Sequence, residues 1–186
     1  AGSLILIQQR FQQVHNRFMR SSTLKALSIH TADEAGPDPG PDYMFGWGLL
    51  NTGRAVQLID NVDAQSLLEE HTLEDQATWQ LAASHPQAGP LRVSIAWTDP
   101  AATPPPAALN PSTRMLVNDL DLRLIHVPTN TVYSPWVLDP ANPSAAAQTG
   151  DNNRDNVEQV FVANAPAGEY VVMISHKGTL RQGQPQ

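Results

Sequence analysis

The sequence predicts a mainly β fold: an antiparallel β-sandwich preceded by about three α-helices. Two observations carry this. Apolar residues recur at three- and four-residue steps as far as about residue 60, and from about residue 76 the period falls to two. A third is the punctuation, since the segments of short period are separated by loops rich in Pro and Gly, as in antiparallel sandwiches.

The first predicted helix carries Leu4, Ile7, Phe11, Val14 and Phe18 on one face and Gln8, Gln9, Gln12, Gln13 and Asn16 on the other. The chain opens inside this apolar pattern with no capping residue before it, which is what a fragment would show. A second helix is expected to start at a Ser21 or Ser22 cap. It bears Leu24, Leu27 and His30, and it must end before Gly36-Pro37-Asp38-Pro39-Gly40-Pro41. Asn51 is placed to cap a third short helix with Ala55, Val56 and Ile59. Residues 1–62 therefore form a helical unit, 63–75 a polar linker and 76–186 the β unit.

In the β unit, Leu91, Val93, Ile95 and Trp97 alternate with Arg92, Ser94 and Ala96. Leu120, Leu122 and Leu124 alternate with Asp119, Asp121 and Arg123. Tyr170, Val172 and Ile174 share a face, and 157–163 is a further strand. The loop over 100–111 holds five prolines and is expected to be extended and exposed.

The chain has 18 acidic and 11 basic residues, a net charge of −7, and no cysteine. The charge argues against nucleic acid, which selects a basic surface. It suits hard cations, which take carboxylate and carbonyl oxygens. The missing thiols exclude disulfides, cysteine zinc sites and thiol catalysis. No apolar run is long enough to span a membrane, and Leu4–Ile7 lacks the flanks of a signal peptide.

Three strings resemble the subtilisin-like serine proteases. Ala1-Gly2-Ser3 and the apolar helix after it look like the helix downstream of that family's nucleophile motif. Leu24-Lys25-Ala26-Leu27, His30-Thr31-Ala32, Asp42-Tyr43 and Gly46-Trp47-Gly48-Leu49-Leu50-Asn51 look like the end of the catalytic domain. Trp97-Thr98-Asp99-Pro100, Leu116 to Leu122, Asp155 to Phe161 and Ala167-Gly168-Glu169-Tyr170 are similar to a C-terminal jelly-roll domain found in some of these enzymes. The resemblance implies a secreted, extracellular serine endopeptidase as the parent and a β domain that stabilises it and holds calcium. The nucleophile serine would lie about two helical turns ahead of Ala1, with the other catalytic residues further upstream, so the chain alone is expected to be inactive. The resemblance also implies one more strand after the segment over 178–185. The missing catalytic domain is the implied partner. Self-association through the apolar helix face or an unpaired sheet edge is a second expectation.

A triad within the chain is disfavoured. Ser28, His30 and Asp33 are close in sequence, but neighbours on a helix face apart, and no Gly-x-Ser-x-Gly turn occurs. The six histidines, His15, His30, His71, His85, His126 and His176, lack zinc-ligand spacing. Calcium is the metal the residues favour. Asp151, Asn153, Asp155 and Asn156 crowd one loop, Asn118, Asp119 and Asp121 enter a strand, and Asp99 ends another. Such loops also arise because Asn and Asp bond their own backbone. An alternative class is a substrate- or carbohydrate-binding jelly-roll module using Trp79 and Trp136.

Overall fold

The computed structural model describes residues 1–62 and 66–181. Of the expected 63–75 linker, residues 63–65 lie outside the described residues, as do 182–186 of the segment expected to lead to a further strand. The described chain is three helices followed by a set of antiparallel strands. Among the described residues no helix is long and apolar enough to cross a membrane.

Helix α1 spans Gly2–His15, α2 Ser21–His30 and α3 Thr52–Asp60. Ile7, Phe11, Met19, Leu27, Ala55 and Ile59 are buried together, with Leu4, Leu24, Leu58 and Leu68 against them. At about 1.5–3 kcal/mol per buried side chain, this cluster holds three short helices that would be marginal alone. The expected apolar face is cut short. Asn16 adopts the left-handed conformation (φ 53°) and its N–H closes on Gln12 O, which ends α1. Phe18 therefore lies past the helix and is 71% exposed, and Val14 is 44% exposed.

The caps divide in the same way. Asn51 caps α3 as its sequence predicts, accepting from Arg54 N at 2.9 Å. Neither Ser21 nor Ser22 caps α2. The α2 N-cap is Arg20, and its N–H donates to the Glu70 carboxylate at 2.8 Å, a contact from a residue fifty positions away. Glu70 thus does what the third helical residue does in a capping box. Between α2 and α3 the backbone of Asp33 pairs with that of Leu49 at 2.8 Å in both directions. Only glycine suits position 48, where φ is +97° and a Cβ would meet Asp33 O at 2.1 Å.

The strands are β1 Trp79–His85, β2 Gly89–Ala96, β3 Asp119–His126, β4 Thr131–Tyr133, β5 Trp136–Val137, β6 Gln148–Thr149, β7 Val157–Ala165 and β8 Gly168–Lys177. They form a sheet ordered β1-β8-β3-β4 and two ribbons, β2-β7 and β5-β6, all antiparallel. Leu122, Leu124, Tyr170 and Val172 of the large sheet share one core with Val160 and Ala165 of the β2-β7 ribbon. The alternation read from the sequence holds at Leu120, Leu122 and Leu124. Because β3 is an inner strand, Asp119 and Asp121 on its other face are buried as well. Trp97 is 3% exposed and its Nε1 donates to Asn118 O at 3.1 Å. The proline loop is irregular and largely exposed.

The helical unit meets the β unit through α2. Lys25 Nζ donates to the Asn156 side-chain oxygen. Arg92 Nη1 donates to His30 O at 2.6 Å while its guanidinium lies over the Phe161 ring, 4.7 Å from the centroid. His30 Nδ1 and Ser94 Oγ are 3.0 Å apart.

Candidate functional site

The densest group of charges in the β unit lies where the end of β8 crosses the start of β3. Register pairs Asp119 with Lys177 and Asp121 with Ser175. This places the Lys177 ammonium 3.0 Å from Asp121 Oδ1, 2.6 Å from Asp151 Oδ1 and 3.7 Å from Asp119 Oδ2. Arg123, two residues along β3, reaches Asp121 and Asp151 at 3.0 Å each. Arg114, from the loop before β3, holds Asp119 Oδ2 at 2.9 Å. Three carboxylates are thus met by three cations supplied by the chain itself.

Electrostatics follow from the geometry. Hydrogen bonds from Lys177 and Asp121 hold the Asp151 carboxyl down at about 2. Burial, and then the hydrogen bond with Asp151, pushes Asp121 up. Burial alone would lower Lys177, but its bonds to Asp151 and Asp121 outweigh that and raise it. Behind them lies Glu158 on β7, fully buried. Its Oε2 accepts from Leu122 N at 2.6 Å, and its Oε1 has no partner among the described residues. Burial pushes this carboxyl up to about 8, past the help given by the Leu122 amide.

The sequence-predicted ligands divide into three groups. Asp119, Asp121 and Asp151 are brought together round Lys177. Asp99 turns away and binds backbone, accepting from Val117 N at 2.6 Å and Asn118 N at 2.9 Å. Asn118 is buried, and its amide pairs with the backbone of Arg181 at 3.2 and 2.8 Å. On the third loop, Asn153 is exposed and Asp155 accepts from Asn152 Nδ2 at 3.0 Å. Asn156 donates to Trp97 O at 2.8 Å and accepts from Lys25, so it serves the join between the two units. Among the described residues no three His, Cys, Asp or Glu side chains form a group that could hold a metal. A calcium ion at Asp121 and Asp151 would have to displace Lys177 and Arg123 from the same oxygens.

The cations and Glu158 were missed by sequence reasoning. Their signal is a charge inside an apolar strand: Arg123 between Leu122 and Leu124, Glu158 beside Val157.

The Ser28, His30 and Asp33 set is dispersed. Ser28 Oγ donates to Leu24 O at 2.7 Å, and Asp33 binds Asn51 at 2.8 Å and Arg54 at 3.0 Å. His30 meets Ser94 instead, whose Oγ also accepts from Gln159 Nε2 at 3.1 Å. Burial, then the nearby Arg92, pushes His30 down to about 4. The Arg92 guanidinium bonds the backbone oxygen of His30, and among the described residues no carboxylate is hydrogen-bonded to the ring to orient it as a triad requires.

His85 and His126 both pack against the Tyr170 ring, with centroids 6.1 and 4.8 Å away. His126 and His176 lie on the paired strands β3 and β8 but at opposite ends, opposite Tyr170 and Leu120 respectively. Of the aromatic candidates, Trp79 stacks against His71 (centroids 4.6 Å apart), and Gly40 packs on the Trp136 ring, where a Cβ would come within 2.9 Å.

No family model matches the chain, and no curated protein matches it.

Proposed function

We propose that the chain is the C-terminal part of a secreted subtilisin-like serine endopeptidase, a supporting and non-catalytic portion whose β unit, of jelly-roll type, braces the helices of the catalytic unit. The observation that carries this reading is the join at α2. Lys25 and Arg92 reach across it and bond Asn156 and the last carbonyl of the helix, so the β unit holds the helical unit at the middle and at the C-terminal end of α2. Two antiparallel sheets sharing a core support the jelly-roll reading.

A second support lies on α1. Ile5 and Leu6 are 66% and 55% exposed on the side away from Ile7 and Phe11. Two exposed apolar residues near the start of the helix suit a helix whose first turns are covered in a larger protein.

The gene sequence encoding the residues ahead of Ala1 tests the proposal. A Gly-Thr-Ser-Met-Ala-type motif about two helical turns upstream supports it, and any other sequence there removes it. The purified chain, given a peptide substrate and a serine-directed inactivator, should show neither turnover nor a covalent label.

A further inference from the structure

A second feature of the join has no part in the bracing. Between α2 and the β unit lies a half-open cavity of about 170 Å³, roofed by the segment 66–75. Its walls include Ala26 of α2, Trp79 of β1, Ile95 of β2, Trp97, Leu120 of β3 and Ile174 of β8. Leu67, Leu68 and Leu73 line it from the roof.

The roof behaves as a strap with a fastening at each end. At its start Ser66 Oγ donates to Asn61 O at 3.1 Å, and Leu68 is sunk into the helical core. In its middle the Glu70 carboxylate gathers Arg17 Nη1 at 2.6 Å, Arg20 N at 2.8 Å and Thr23 Oγ1 at 2.5 Å. Beyond it Arg20 Nη1 donates to His71 O at 3.0 Å, and the His71 ring lies on Trp79. At its far end Asp75 accepts from Leu180 N at 2.8 Å.

We propose that this cavity binds a small uncharged aromatic molecule beneath the 66–75 strap. Size, lining and charge agree on that class. A closed apolar cavity of about 150 Å³ accepts benzene, and this one is of comparable volume with an indole in its wall. The polar groups at its mouth are already engaged with one another: Glu70 with Arg17 and Arg20, and Glu69 in a hydrogen bond with His71 at 2.5 Å. Ser94 Oγ in the wall is engaged by His30 and Gln159. A charged ligand would leave water for a site offering it no free counter-charge, and the ring of an uncharged one loses only apolar contact with water. The inference does not rest on the protease reading, since it concerns the cavity alone.

The test is a titration of the whole chain with benzene, indole and, as the charged control, benzoate. It is read by amide and indole NMR shifts and by Tm. The expected result is a saturable shift of the Trp79 indole signal with benzene or indole, and a Tm rise of about 5 °C at a hundredfold excess over Kd. Ala26→Leu, which pushes a larger side chain into the cavity, should weaken binding at least tenfold. Thr23→Val, which frees one fastening of the strap, should speed exchange of the bound probe, and it stands in if Ala26→Leu does not fold. The proposal is overturned by no saturable shift with either uncharged probe, by benzoate binding as tightly as benzene, or by binding that both variants leave unaltered.

Discussion

The Leu122 backbone amide donates to the Glu158 carboxyl at 2.6 Å, so a side chain of the β2-β7 ribbon is tied to the backbone of the central strand of the large sheet. The bond fixes a carboxyl group inside the core shared by the two sheets. Asp121, Arg123 and Lys177 are the charged groups that bear on it.

Its titration gives the first prediction. Glu158 is pushed up to about 8 by burial, from an ordinary value of 4.5. The folded state keeps a proton that the unfolded chain releases, so the contribution is whole below about 4.5 and is lost as pH rises through about 8. Wild-type Tm should fall across that window. Glu158→Gln, which keeps the acceptor for Leu122 N, should flatten the fall. Parallel Tm profiles for the two proteins would remove Glu158 as the cause.

Asn156→Ala removes an acceptor from a half-buried lysine and a donor from Trp97 O. Leaving such groups unmatched costs about 1–3 kcal/mol. Lys25→Met in the same background should recover part of the loss, because the stranded ammonium is gone, and a double-mutant cycle on chemical unfolding measures it. Additive losses would show that the two residues do not act together.

Lys177 and Arg123 hold the Asp121 and Asp151 oxygens that a cation would need. Wild-type Tm should therefore agree within about 1 °C in EDTA and in millimolar calcium, since a ligand binding only the native state raises Tm. A rise with calcium would return the three aspartates to the role their sequence suggests. Lys177→Met should destabilise by about 1 kcal/mol, a modest figure because the ammonium is partly exposed.

The helical core separates buried from merely apolar residues. Leu27→Ala should cost about 2–5 kcal/mol, as Leu27 is 2% exposed among Ile7, Phe11 and Ile59. Phe18→Ser should change stability by no more than about 0.5 kcal/mol, because Phe18 already faces water. Urea midpoints of both variants give the comparison, and equal losses would contradict the packing described.

Local rules reached a good part of this molecule. The change of period from 3.6 to 2 located the three helices and the strands β2, β3, β7 and β8, because each period is set by backbone geometry over a few residues, whereas β1, β4, β5 and β6 were not read. Asn51 was legible as a cap for the same reason, its partner being three residues away. Asp119 and Asp121 were correctly placed on one face of a strand.

Whatever depends on distant residues had to wait for the tertiary structure. The cap of α2 comes from Glu70, and Lys177 is brought among the aspartates by the strand register between β3 and β8. Composition and period can show that oxygens are abundant in three loops. They cannot show which of those oxygens meet, because pairing across a sheet is decided by packing energy summed over the whole core rather than by any local preference.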